Sequence, residues 1–177
     1  MGILSFLGLQ SAPASTDALY GVIVQQARQP AFYVDDGVPD TVAGRFDMIT
    51  LHAYIVMRRL NKLGREGGAI SQSLFDTMFL DMDRNMREMG VGDIVVGKRI
   101  KALAISFYGR IKAYDEALDG SENALADALK RNLFLEASPK EHQLIAMAEY
   151  LRFNITESEN WSLAALAAGN FGYQKKR

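Results

Sequence analysis

The run Arg45-Phe-Asp-Met-Ile-Thr-Leu-His-Ala-Tyr-Ile-Val-Met-Arg-Arg-Leu-Asn-Lys62 decides the fold. Phe46, Ile49, Ala53, Val56, Leu60 and Leu63 step by threes and fours, so they share one face of a helix. Met48, Leu51 and Ile55 lie on the opposite face of its first half. A helix that is apolar on two sides needs cover on both, which places it in the middle of a bundle. Elsewhere the apolar spacing stays helical, and no stretch alternates with period two long enough to make a strand. The expected fold class is all-α: one helical-bundle domain of six to seven helices, with an ordered loop between the first and second.

Outward from that run, a first helix is expected from about Thr16 to Arg28, capped by Ser15 or Thr16 and stopped by Pro30. Asp35, Asp36, Gly37, Pro39, Asp40 and Gly44 make residues 31–44 an ordered loop. Gly64, Gly67 and Gly68 form the loop after the second helix. A third helix follows from about Ser71 to Met89, opened by the capping signal Ser73-Leu-Phe-Asp76 and closed by Gly90. A fourth runs from Asp93 or Ile94 to Leu118, with Asp93 as cap and Val96, Ile100, Leu103, Phe107, Ile111, Tyr114 and Leu118 as its core stripe. Ser121 caps a fifth helix to about Phe134, and Ser138-Pro-Lys-Glu141 opens a sixth to about Phe153. A short seventh spans about Asn160 to Ala168. The expected division is a flexible segment 1–15, a helical domain 16–168 and a flexible basic tail 169–177.

Composition closes off several chemistries. The chain has 177 residues, 49% of them apolar, and 20 Lys+Arg stand against 21 Asp+Glu for a net charge of −1. That length suits one domain with a real core. The balanced charge argues against a chain built to hold nucleic-acid backbones, and no DNA partner is expected. Without cysteine there is no disulfide, thiolate nucleophile or thiolate metal site. Two histidines, His52 and His142, cannot make a three-histidine zinc site. No apolar run approaches the roughly 18 residues of a membrane span. The stretch Met1–Leu9 is apolar but short, lacks a basic flank and misses the myristoylation pattern at Phe6. At most peripheral membrane contact is expected.

Most motifs read as structure. Gly92-Asp-Ile-Val-Val-Gly-Lys-Arg99 nearly spells a phosphate-binding loop, but Arg99 replaces the magnesium-binding hydroxyl and no strand precedes it. Asp81 and Asp83 are two residues apart on a helix and point about 200° from one another, so they cannot share an ion without help. Asp83 instead pairs with Arg87 four residues on, and Asp81 is placed to tie a neighbouring segment. No metal site and no cofactor are expected. His52 lies at the edge of the central helix's apolar stripe, where a buried, hydrogen-bonded histidine is the plain reading, whereas His142 faces solvent. Met78, Met82, Met86 and Met89 share one face with Phe75, as core or as a deformable surface.

The fourth helix is the most informative. Opposite its core stripe, Lys98, Lys101, Ile105, Tyr108 and Lys112 fall on one line. Either the C-terminal helices cover that face, or it is a partner surface with apolar and aromatic anchors among cations. Gly109 beside Arg110 lets another backbone approach closely, at some loss of helix propensity.

Four stretches now read together: Tyr33-Val-Asp-Asp-Gly-Val-Pro-Asp-Thr41; Gly44-Arg-Phe-Asp47 leading to Leu51-His52; Asp81-Met-Asp83 with Arg87-Glu-Met-Gly-Val-Gly-Asp93; and Phe107-Tyr-Gly-Arg110. From about Leu19 to Leu118 the chain resembles the ubiquinol–cytochrome c chaperone family, helical assembly factors for respiratory complex III. The resemblance implies a non-enzymatic chaperone that binds newly synthesised cytochrome b and holds it for assembly into the cytochrome bc complex. It further implies a small partner protein and contact near the ribosome exit. Because the sequence begins almost directly at the domain, a bacterial, cytoplasmic form is expected, peripheral at the inner membrane at most. Within the match, Tyr33, Asp40, Arg45 and Asp47 are partner-binding candidates from the loop, and Arg87, Glu88, Asp93, Tyr108 and Arg110 from the helical pair. Asp40, Arg45, Asp47, Arg87 and Asp93 equally suit capping and pinning. The alternative is an α-helical, magnesium-dependent enzyme on an isoprenoid-like diphosphate, using Asp81, Asp83 and Arg87; no second acidic cluster is present to complete it. A DNA-binding helix-turn-helix at Lys98, Arg99 and Lys101 is opposed by the net charge and the length of both helices.

Overall fold

Thr41 starts the central helix: its side chain accepts the Gly44 N–H at 3.1 Å, and the helix runs from Val42 to Lys62. The computed structural model describes residues 14–121, 123–135 and 137–174. Among them are eight helices: α1 (Ala14–Ala27), α2 (Pro30–Val34), α3 (Val42–Lys62), α4 (Gly64–Glu88), α5 (Asp93–Leu118), α6 (Ala124–Asn132), α7 (Glu141–Ser158) and α8 (Leu163–Ala167). None is a strand, and no described helix is long and apolar enough to cross a membrane.

α3 is the hub the sequence demands. Thirteen of its twenty-one residues are buried, on both faces, and it packs against α1, α4, α5 and α7. Asp47 and Tyr54 on α3 meet Arg110 and Asp115 on α5, so the two helices run parallel. α4 returns between them in the opposite sense, with Phe75 and Phe79 packed against Phe107. α1 runs along α4 through Thr16–Thr77 and Tyr20–Asp81. Tyr54, Tyr114, Phe32, Phe79, Phe107 and Phe134 are the largest fully buried side chains.

Several local expectations need correction. The loop 31–44 contains α2, because Pro30 occupies a first-turn position after extended Gln29, where its missing N–H is harmless. The glycine loop after α3 is helix. Leu63 ends α3 and begins α4, and Gly64 makes the reversal at φ +81°. The Ser73–Asp76 signal therefore sits inside a helix whose preceding turn already occupies its N–H groups. There Ser73 contributes its carbonyl to the Thr77 hydroxyl, and Asp76 accepts from Gln72. Gly92, not Asp93, caps α5, and Asp93 takes the first helical position. α6 is shorter than expected at both ends. α7 starts at Glu141, where the Gln143 side chain accepts the Lys140 N–H, and extends to Ser158. Gly90 at φ +80° closes α4 as the spacing predicts.

The expected tail also differs. Tyr173 is buried and donates to the His52 carbonyl at 2.9 Å, while Trp161, Phe171 and Tyr173 form an aromatic cluster. Residues 171–174 thus belong to the packed structure; of the flexible segment expected at 1–15, residues 1–13 lie outside the described residues, as does the basic run 175–177, while Ala14 and Ser15 already belong to α1, so the helix starts before the cap expected at Ser15 or Thr16.

His52 is buried as expected. Nδ1 is 2.8 Å from the Met48 carbonyl, which can only accept, so Nδ1 carries the proton. Nε2 then accepts from the Tyr150 hydroxyl at 2.9 Å, and that hydroxyl in turn accepts from Gln26. Burial pushes the imidazole pKa down to about 4, partly opposed by the Met48 carbonyl. The unfolded chain therefore binds a proton that the folded chain refuses between its ordinary value of 6.5 and about 4. Stability is full above that window and falls as pH drops through it, by about 2 kcal/mol by pH 5 at ~1.4 kcal/mol per unit. Urea unfolding at stepped pH is expected to show this slope for the wild type and a flatter one for His52→Gln; parallel slopes would refute it.

Candidate functional site

The outward side of α5 is open. The C-terminal helices do not cover it: Ile94, Ile105 and Tyr108 are 76%, 67% and 55% exposed, and Lys98, Lys101 and Lys112 are exposed beside them. The helix can spare this side because its other faces are used: Val96, Ile100, Phe107 and Tyr114 enter the core. Gly109, also exposed, has nothing within 4 Å of the position an added Cβ would take, so packing among the described residues does not require glycine there.

Beside this face lies a cleft of about 250 Å³ between α3, α4 and α5. Phe75, Phe107 and Tyr108 wall it, with Tyr108 stacked on Phe75 at 5.2 Å between ring centroids. Gly68 and Gln72 form the opposite rim. At one end the Tyr54 hydroxyl and Arg58 Nε both donate to Asp115 Oδ1, at 2.6 and 3.1 Å. Burial, then the hydrogen bond to Asp115, pushes the Tyr54 hydroxyl up, so it remains a donor. Sequence reading missed the cleft. Its lining comes from three helices, and the only local signal was Tyr108 sitting at the border between exposed and core stripes of α5.

The remaining candidates fall into separate groups. Asp47 and Arg110 form a buried ion pair between α3 and α5 at 2.8 Å. Arg110 also donates to the Asn132 carbonyl on α6 and to Ser106, and its guanidinium lies over Phe46. One side chain thus pins three helices. Arg87 clips the α4–α5 corner, donating to buried Asp83 at 2.6 Å and to Asp93 across the turn. Glu88 is exposed at the same corner, with Met89 beside it. Arg45 pairs with Asp40 at 2.7 Å and stands over the Tyr33 ring, while the Tyr33 hydroxyl donates to the Ala27 carbonyl. That pair is half exposed, where such bridges contribute little to stability. The structure therefore unites Lys98, Lys101, Ile105, Tyr108 and Lys112 on one face and puts Asp47, Arg110, Arg87 and Asp93 into internal contacts.

The two acidic residues of α4 serve different neighbours. Asp81 accepts from Tyr20, Arg84 and Asn85, and Asp83 from Arg87. Among the described residues no group of three or more His, Asp or Glu side chains converges on a point that could hold a metal ion.

Comparison with known proteins adds a family. The model described as Ubiquinol-cytochrome C chaperone matches residues 35–174. The crystal structure of the Cbp3 homolog from Brucella abortus is similar with a TM-score of 0.79 and 36% identity, over 97% of this chain and 95% of that one. Ubiquinol-cytochrome c reductase complex assembly factor 1 of Mus musculus is 28% identical over 134 residues, 76% of this chain and 45% of its own length. Protein CBP3, mitochondrial, of Saccharomyces cerevisiae is 32% identical over 106 residues, 58% of this chain and 32% of its own length. The chain spans about half the length, or less, of these curated relatives.

Proposed function

This chain belongs to the ubiquinol-cytochrome C chaperone family, and from that premise we propose that it is a non-enzymatic assembly chaperone for respiratory complex III whose client is newly synthesised cytochrome b. The observation that carries the reading beyond the family name is the open face of α5 beside an aromatic-walled cleft. Exposed Ile94, Ile105 and Tyr108 are unusual on a helix whose opposite side is fully used in the core. Apolar anchors in a setting of cations bind a polypeptide while the charge limits self-association.

Rigidity completes the mechanism. Arg110 ties α5 to α3 and α6, and Arg87 fixes its first turn against α4. The face is thus presented without ordering on binding, which keeps the entropic loss on the client's side. A holding chaperone needs no more chemistry than this: it shields apolar surface until assembly removes the client. The loop pair Asp40–Arg45 with Tyr33, and the corner at Glu88, are proposed as flanking contacts.

The test is the steady-state level of cytochrome b in a strain lacking this chain, with and without plasmid rescue. A selective, rescuable loss of cytochrome b and complex III is expected, with other membrane proteins unchanged. Normal cytochrome b in cells that depend on complex III would overturn the proposal.

A further inference from the structure

The cleft between α3, α4 and α5 has two unlike ends. At one, Phe75, Phe107 and Tyr108 touch one another, with ring centroids 5.5, 5.2 and 5.7 Å apart. Phe75 and Phe107 are buried, whereas Tyr108 leans on Phe75 from outside and stays half exposed, so an aromatic wall borders open space. Met57 and Ile111 complete the apolar lining. Asp115 marks the other end, on the same side of α5 as Tyr108 and two helical turns, about 10 Å, further along. It receives the Tyr54 hydroxyl and Arg58 Nε on a single oxygen, Oδ1. Its second oxygen, Oδ2, takes neither, and a carboxylate can accept about four hydrogen bonds. Arg58 and Asp115 cancel in charge, so this end of the cleft is polar and neutral.

From this we infer that the cleft is a pocket for an aromatic side chain with a hydrogen-bond donor on its edge, tryptophan foremost, presented by a client polypeptide. The inference deepens the proposed function and rests on the reading that this side of the molecule receives a polypeptide. Volume, ring chemistry and charge select the occupant. The cleft measures about 250 Å³, against the ~150 Å³ of an apolar cavity that takes one benzene, so it has room for a second ring. Rings pack on rings in offset-stacked or edge-to-face geometry, a preference that aliphatic side chains lack. An aliphatic occupant would also bring nothing to Asp115. A carboxylate would be set against Asp115, and an ammonium or guanidinium against Arg58, so the paired charges disfavour either sign. Indole is neutral, offers one N–H and accepts nothing, which suits an end whose unused valence is a carboxylate oxygen. The class also suits a client from the bilayer. Membrane proteins concentrate Trp and Tyr where the chain meets the interface, and before insertion those rings face water.

The experiment titrates the full, isotope-labelled chain with indole and with N-methylindole, which keeps the rings but has no N–H, and follows the backbone amide signals. Shifts are expected at Gly68, Gln72 and Ile111, with indole binding about fivefold tighter. Tyr108→Ala is expected to weaken both probes. Asp115→Asn is expected to erase the difference between them, because its amide can keep Oδ1 for Tyr54 and Arg58 while it turns a donor toward the indole N–H. Tyr108 and Asp115 are both exposed, so neither change opens the core, and unchanged helicity checks this. A neutral peptide with one tryptophan is expected to shift the same amides more strongly than its leucine counterpart. Equal binding of the two indoles, shifts away from the cleft, or a difference that Asp115→Asn leaves intact overturns the inference. So does tighter binding of benzamidine, benzoate or the leucine peptide, which makes the occupant cationic, anionic or aliphatic. A dimer in sedimentation that Tyr108→Ala dissolves overturns it in favour of a second copy. The two proposals fail separately: cytochrome b lost on deletion without indole selectivity removes only the pocket, and selective indole binding with normal cytochrome b on deletion removes only the assembly role.

Discussion

Replacing Arg110 by methionine is expected to lower the free energy of unfolding by about 3–5 kcal/mol, the range for breaking a buried ion pair from one side. The reason is what remains. Asp47 is 5% exposed, and the substitution removes the guanidinium that lies 2.8 Å from its carboxylate in this buried setting, close to the Tyr114 ring. The α6 contact through the Asn132 carbonyl and the packing over Phe46 go at the same time. Restoring neutrality should recover most of the loss: D47L/R110M puts apolar side chains of similar volume at both positions, and such exchanges are often neutral or stabilising. Urea unfolding of the single and double variants measures both. A loss under about 1 kcal/mol for Arg110→Met would mean water reaches the pair. The double variant also separates two roles. If it folds and still supports cytochrome b accumulation in the rescue strain, the pair is a pin; if it folds and fails, Asp47 or Arg110 contacts the client.

The same pair shows why parts of this molecule were legible in sequence and others were not. The double apolar face of residues 45–62 fixed α3 at the centre, because burying two sides of a helix leaves no other place for it. Asp83–Arg87 and the C-terminal glycine at Gly90 were local, and local spacing is what a sequence displays. The lysine and apolar line on α5 was equally local, and its exposure agrees with the expected geometry. Asp47–Arg110 and the cleft depend on residues far apart in the chain, and nothing at either position announces its partner. Ser73–Asp76 carried the letters of a helix start but sits after two turns of helix, so the same residues serve as interior contacts. The glycines at 64–68 misled for a related reason. Read as chain breakers they make a loop, but only Gly64 takes a positive φ, and the other two lie within α4.

Those two glycines are expected to respond to alanine with opposite signs. Gly67 sits where α4 leaves the corner with α3, and an added Cβ would lie 2.1 Å from the Leu60 carbonyl oxygen. That obstacle is backbone, inside the last turn of the central helix, so no side-chain rotation relieves it. The α3–α4 corner has to open, and α4 carries Leu74, Phe75, Met78 and Phe79 of the core with it. Gly67→Ala is therefore expected to destabilise by about 3 kcal/mol, the upper end for overpacking, and to lower yield. Gly68, the next residue on the same turn, meets nothing within 4 Å of an added Cβ. There alanine only removes backbone freedom from the unfolded chain, and Gly68→Ala is expected to stabilise by about 0.5–1 kcal/mol. Thermal unfolding of the two variants side by side decides the matter, since propensity is the same for both and only the neighbouring atoms differ. If both stabilise, the corner is looser than its geometry indicates; if both destabilise, the open space beside Gly68 does not decide its response and that prediction fails.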